Sequence, residues 1–297
     1  MKLVSFMHDG QQRTGAVKGD EIVPFGLEIG DVNAIIEGGQ PALTAAQNAA
    51  ANGAGRIPLS DVRLMPPLTR FRRDILCTGW NYWDHFEEGR GKREGQDVDR
   101  PSHPTFFTKS PDTAIGARDP IAFDAEISEK WDYEVELAIV IGKTGRSISE
   151  DRAMEHIFGY CLANDVSQRD LQRAHGGQWL KGKSIDQTMP LGPWLVTAEA
   201  FDPFDVELEC LVNGERRQHA STRQMAFAIP KLIAELSWGM TLHAGDVLLT
   251  GTPAGVGNAA DPPFFLKAGD EIVSRGAGLG ELRNTMTETD LHSPKRG

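Results

Sequence analysis

Long apolar runs are missing from this sequence. No stretch approaches the ~20 consecutive apolar residues that a membrane-spanning helix needs. The opening residues, MKLVSFMHDG, lack the extended apolar segment of a secretory signal. Cysteine is scarce, with only Cys77, Cys161 and Cys210, far apart. An odd, dispersed set excludes a disulfide framework and a cysteine zinc site, and suits reduced thiols in a cytoplasm. Positive charge is in deficit: 31 Lys and Arg stand against 42 Asp and Glu, for a net charge of −11. A nucleic-acid-binding face is therefore not expected. A local cationic cluster or a metal can still attract an anionic small molecule. HExxH and GxSxG are absent, as are internal repeats and low-complexity tracts. Gly142-Lys143-Thr144 lacks the earlier glycine of a phosphate loop, because Leu137 stands in its place. Gly251–Gly257 runs into Asn-Ala-Ala-Asp-Pro-Pro and not into a helix, so it is no dinucleotide fingerprint.

What is present centres on Asp132-Tyr-Glu-Val-Glu-Leu-Ala-Ile-Val-Ile-Gly142. Its β-branched and aromatic residues, without proline, predict a strand ended by Gly-Lys-Thr-Gly. Residues two apart share a strand face. Glu134 and Glu136 thus point the same way, roughly 6.6 Å apart along the backbone. Val135, Leu137, Ile139 and Ile141 fill the opposite face, while Ala138 and Val140 continue the glutamate face in apolar residues. Two carboxylates at the end of a buried face repel each other and resist desolvation. A hard divalent cation relieves both problems; a solvated strand edge is the plainer alternative.

Residues 1–66 read as a small leading α+β domain. Its predicted strands are Lys2–Met7, Gln12–Val17 and Glu21–Pro24, and its helices Asp31–Glu37 and Pro41–Ala51. No catalytic spacing occurs there, so a structural or dimerisation role is expected, with Pro66-Pro67 as the boundary. A larger domain follows over 67–286, and 287–297 read as a frayed tail. In the larger domain His85 and Glu88 lie three apart on a predicted helix over Asn81–Glu88 and are neighbours. They make either a base with its orienting carboxylate or a surface pair. Gly89–His103, rich in glycine and charge, reads as a loop that could cover them. Thr105–Lys109 is a strand. Phe158–Ala163 is another, and it delivers Asp165 as a third carboxylate or as the cap of a helix beginning near Ser167. Val206–Val212 and Arg217–Thr222 form a hairpin across Asn213-Gly214. Pro230–Trp238 is an amphipathic packing helix. Gly245–Gly257 reads as a strand and a Gly-rich turn, whose backbone N–H groups can hold an oxyanion.

Six segments in order resemble the fumarylacetoacetate hydrolase family: GWNYWDH (79–85), PTFFTKSPDTAIG (104–116), DYEVELAIVIGK (132–143), NDVSQRDLQ (164–172), KGKSIDQTMPLGPW (181–194) and LLTGTPAGVG (248–257). The resemblance implies an α+β, β-rich fold, in which a mixed β-sheet roll forms the catalytic domain, and usually a homodimer. It implies Mg²⁺, with Mn²⁺ or Ca²⁺ as substitutes, held by Glu134, Glu136 and Asp165. It implies His85, Glu88 and Lys183 as catalytic residues. Arg169, Gln172, Thr252, Lys109 and Tyr82 become the expected substrate contacts. The implied activity is hydrolysis of a C–C bond in a 2,4-dioxo acid such as an acylpyruvate, through water activated by His85 and Glu88 and an enolate product. The alternatives are a 2-oxo diacid decarboxylase, an isomerase or tautomerase, a lyase or, last, a binding protein without activity. Trp80 and Trp83, flanking Asn81-Tyr82, depart from the small or aliphatic residues common there. They either narrow the site or pack beside it.

Overall fold

A computed structural model describes residues 1–91 and 99–293. The organising sheet runs, in order, through Ile57–Pro58, Glu21–Pro24, Gln11–Lys18, Lys2–His8, Met189–Thr197, Ile157–Asn164, Val135–Ile141, Val247–Leu249, Ile75–Gly79 and Thr105–Lys109. The strand Val135–Ile141 is central and wholly buried. Val135, Leu137, Ile139 and Ile141 pack into one core, while Ala138 and Val140 pack into a second core on the other side. Each large side chain so buried contributes about 1.5–3 kcal/mol. A one-residue slip would turn Glu134 and Glu136 into the first core, which fixes the register.

A second sheet orders Glu215–Ser221, Glu207–Val212, Glu271–Gly276, Gly280–Glu288 and Ile121–Phe123. Leu208, Ile272 and Leu282 from its inner face share the first core with Leu137 and Ile139. Its leading hairpin turns at Asn213 and Gly214, with φ of 51° and 80°. These are the positive values a two-residue hairpin turn requires.

The strand-rich architecture with few helices agrees with the expected fold class. The leading segment shares the sheet of the larger domain: Lys2–His8 pairs with Met189–Thr197, Leu3 opposite Leu195. An exposed strand edge invites pairing, and the larger domain supplies the partner. Helices Val32–Glu37 and Gly39–Asn52 cover part of the second core, the first capped by Asp31 accepting from the Ala34 N–H at 2.7 Å. The expected frayed tail instead begins as strand, because Thr287 and Glu288 pair with Ala122 and Phe123. Glu150–His156 forms a 3₁₀ segment. Of the loop expected over 89–103, residues 92–98 lie outside the described residues. Among the described residues no helix is long and apolar enough to cross a membrane.

Candidate active site

Strand pairing brings the carboxylates together. Val135 lies opposite Asn164 in the antiparallel register. Glu134 therefore faces the next residue, Asp165, whose N–H donates to the Glu134 carbonyl at 2.8 Å. The Asn164 side chain accepts from the Glu134 N–H at 3.0 Å. Oxygens of Glu134, Glu136 and Asp165 all lie within 4.8 Å of one another. All three residues are buried.

Cations surround this cluster. Lys183 Nζ lies 2.7 Å from Glu134 Oε2 and 2.6 Å from Asp165 Oδ2. Arg169 Nη2 is 2.6 Å from Glu134 Oε1, and its Nε is 2.8 Å from Asp132 Oδ2. Burial alone would raise Glu134, but Lys183 and Arg169 bring it down to about 2. Burial opposes charge on Lys183 too, and Asp165 with Glu134 raises it despite that. Glu136 behaves differently. Burial, then the charges of Asp165 and Glu134, push its carboxyl well above the ordinary range. Three converging hard oxygens, one of them resisting ionisation beside two negative neighbours, are a donor set suited to a hard divalent cation.

The dyad stands beside the triad. His85 Nδ1 is 2.7 Å from Glu88 Oε1, and Glu88 Oε2 accepts the Gly255 N–H at 2.8 Å. An ionised Glu88 can only accept, so Nδ1 carries the proton and Nε2 is left as the basic nitrogen. Both residues line one cleft with Glu134, Glu136, Arg169, Gln172, Lys183 and Thr252. Its empty space, part of it open to solvent, is about 730 Å³.

The parallel pair Leu248–Leu76 and Leu249–Cys77 sets the Gly-rich turn beside the segment leading to His85. That turn holds anions, but they are the protein's own. Gly251 N–H donates to Glu136 Oε2 at 2.6 Å, Gly255 N–H to Glu88, and Gly257 and Asn258 N–H to Asp132 at 2.7 and 3.0 Å. Gly251 has φ +95°, and a Cβ there would come within 2.7 Å of Asn81 Cβ, so glycine is required.

Two expected substrate contacts lie elsewhere. Lys109 is fully buried behind Asp165, with Nζ 2.8 Å from Asp165 Oδ1 and donating to the Val166 carbonyl at 2.8 Å. The strand direction that ends at Lys109 turns its side chain inward. Tyr82 is also buried and does not line the cleft; burial and then Glu136 raise its phenol. Arg169 and Gln172 do line the cleft, yet Arg169 is engaged with Asp132 and Glu134, and its Nη1 donates to Gln172 Oε1 at 3.2 Å. Trp80 lines the cleft at φ +54° and meets Trp179 edge to face at 4.9 Å. Trp83 instead packs on Phe86 and Phe227. Sequence reasoning missed Phe107, Arg173, Trp179 and Asn258, which also line the cleft. Arg173 follows Gln172 directly and was within reach of the sequence; Trp179 and Asn258 reach the cleft only through tertiary contacts.

The family profile described as fumarylacetoacetate (FAA) hydrolase C-terminal matches residues 74–287, and one described as Rv2993c-like, N-terminal matches residues 1–67. Oxaloacetate tautomerase YisK of Bacillus subtilis (strain 168) is 45% identical over 235 residues, covering 79% of this chain and 76% of that protein. The structure of fumarylacetoacetate hydrolase (EaFAH) from psychrophilic Exiguobacterium antarcticum superposes with a TM-score of 0.83 at 39% identity, covering 97% of this chain and 100% of that one. Maleylpyruvate hydrolase from Sphingobium sp. SYK-6, in complex with manganese (II) ion and pyruvate, superposes with a TM-score of 0.79 at 30% identity over 98% and 100% of the two chains. Relatives of this chain thus include both tautomerases and hydrolases. With a matching profile over most of its length and the expected strand-rich fold, this chain belongs to the fumarylacetoacetate hydrolase family.

Proposed function

We propose that this chain is a divalent-metal-dependent tautomerase that interconverts the enol and keto forms of a 2-oxo diacid of the oxaloacetate kind. The carrying observation is one oriented base beside one carboxylate triad in a chain 45% identical to an oxaloacetate tautomerase. This replaces C–C hydrolysis as the leading reading. A keto–enol shift needs a single proton relay and consumes no water.

A cation such as Mg²⁺ or Mn²⁺, held by Glu134, Glu136 and Asp165, would supply Lewis acidity toward the 2-oxygen of the substrate. The protein's own part is proton transfer. In the enol-to-keto direction the enol O–H loses a proton and C3 gains one, leaving the formula unchanged. His85 Nε2 moves that proton, with Glu88 holding the ring and balancing the imidazolium when it forms. Lys183 and Arg169 offset negative charge gathering on the substrate oxygens. Trp80, Phe107 and Trp179 form an aromatic wall that limits water around the reacting carbon.

The test is decay of enol-oxaloacetate absorbance with Mn²⁺ or with EDTA, together with product analysis. Metal-dependent acceleration without pyruvate or CO₂ is expected. No acceleration by metal-loaded protein would overturn the reading. The hydrogen bond from His85 to Glu88 also suits activation of water, so acylpyruvate hydrolysis is the second reading. Metal-dependent cleavage of an acylpyruvate, with enol-oxaloacetate untouched, would favour it.

A further inference from the structure

Gln218 lies on the strand Glu215–Ser221, in the second sheet, and is 1% exposed. Its side chain reaches the central strand of the first sheet. Gln218 Oε1 accepts the Val135 N–H at 3.0 Å. Its Nε2 donates to Thr252 Oγ1 at 2.8 Å and to the Pro253 carbonyl at 2.9 Å. Thr252 Oγ1 in turn donates to the Val135 carbonyl at 3.0 Å. The directions admit no swap. The Val135 N–H can only donate and the Pro253 carbonyl can only accept, which orients the amide. Nε2 has no lone pair to offer Thr252, so the Thr252 proton goes to Val135. A closed ring of hydrogen bonds results, centred on the residue between Glu134 and Glu136.

The other partner in this ring is the turn that carries Gly251 and Gly255. Gly251 N–H holds Glu136, and Gly255 N–H holds Glu88. Gly255, at φ +104°, sits so close to the Arg217 carbonyl that a Cβ would collide with it. One strand of the second sheet therefore shapes both ends of the turn: Arg217 by contact at Gly255, Gln218 by hydrogen bonds at Thr252 and Pro253. We propose that Gln218 is a positioning residue that locks the carboxylate strand to the Gly251–Asn258 turn, and so holds the His85–Glu88 dyad at a set place relative to the carboxylate triad. It touches neither group. It acts through Val135 on one side and through Gly255 on the other. The proposal rests on the reading of triad and dyad as one proton-transfer site, and it extends that reading to a residue outside the cleft. The ring also commits the Thr252 hydroxyl proton to Val135, so this hydroxyl can meet a substrate carboxylate only by giving up that bond.

The test uses Gln218→Met, which keeps length and volume but removes every hydrogen bond of the amide. Thr252→Val, which opens the ring at another point, is the second variant should Gln218→Met not fold. Each is compared with the full-length parent, loaded with Mn²⁺, at matched folded fraction. A misplaced dyad should lower kcat for enol-oxaloacetate by about tenfold or more, because small displacements of positioned groups are costly in rate. KM should change less than kcat. Nitrogen NMR of the histidine rings provides a readout without substrate, with His85 assigned by its loss in His85→Gln. In the parent, Nδ1 should show the signature of a protonated nitrogen bonded to carboxylate, and in the variants this should shift toward mixed tautomers. Adding Gln218→Met to Thr252→Val should cost little more, since both break one ring. Unchanged His85 resonances and unchanged kcat in folded variants would overturn the proposal. If the parent ignores oxaloacetate but the His85 signal still moves in the variants, the tautomerase reading fails and the role of Gln218 stands.

Discussion

The backbone N–H of Gly251 donates to Glu136 Oε2 at 2.6 Å, tying a carboxylate of the triad to a turn 115 residues further along the chain. Glu136 is the carboxylate that burial and its neighbours Asp165 and Glu134 discourage most from ionising, and this N–H opposes them. Gly251→Ala would introduce a Cβ at φ +95° against Asn81. Strain at such a position costs about 1–3 kcal/mol. The expected outcome is a lower melting temperature and weaker Mn²⁺ binding together. A variant that melts lower but binds Mn²⁺ as the parent does would show that the N–H contributes nothing to the metal site.

Metal binding should release a proton and strengthen as pH rises. In the metal-free protein Glu136 is raised above its ordinary value, so it keeps its proton where an unfolded-chain glutamate has lost it. Over that window the folded state binds more protons, and metal-free stability falls as pH rises through the raised pKa. A cation needs the ionised carboxylate and removes this loss. The gap in melting temperature between Mn²⁺-loaded and EDTA-treated protein should therefore widen with pH. Calorimetry in buffers of different ionisation enthalpy measures the released proton directly. A gap that narrows with pH would contradict the assignment of Glu136 as a ligand.

Lys109 is placed to support Asp165 and not to touch substrate. Burial, the largest influence on it, lowers its pKa, and Asp165 works against that shift. Lys109→Met removes a positive charge 2.8 Å from a triad oxygen. The more negative site should bind Mn²⁺ more tightly, on the order of tenfold for a partly screened charge. Metal-free protein should lose about 1–3 kcal/mol of stability through the Val166 carbonyl and Asp165 contacts. KM should stay near the parent value. A raised KM with unchanged Mn²⁺ affinity would return Lys109 to the substrate contacts.

His85→Ala should lower turnover by about 10²–10⁴-fold, the usual contribution of a positioned acid–base group. Mn²⁺ affinity should hold, since His85 lies outside the triad. Glu88→Gln keeps the shape but presents a neutral amide to Nδ1, and should fall between His85→Ala and the parent. Equal losses in oxalate binding and in turnover for His85→Ala would show that His85 binds substrate and does not move the proton.

Much of the site was legible because it is written in short spacings. Glu134 and Glu136 are two apart on a strand, His85 and Glu88 three apart on a helix, and these local periods need no tertiary knowledge. Asp165 was visible as a strand-end acid, and antiparallel pairing of Val135 with Asn164 then decided that it faces Glu134. Lys109 and Tyr82 went astray because strand and turn position do not tell which way a long side chain is buried. The leading segment was legible as strands and helices. Its fusion to the larger sheet was not, since Leu3 meets Leu195 across nearly two hundred residues.

Residue chemistry and local backbone period say which residues can carry charge, bind a hard cation or form the central strand. Which of those charges meet is set by how the chain packs. Lys183 joins Glu134 and Asp165, Arg169 joins Asp132, and Gln218 spans two sheets to fasten Val135 to Thr252. Such contacts form between segments far apart in the chain. Their partners are chosen by packing of the cores and by the cost of burying an unpaired polar group, and neither has a local period to read.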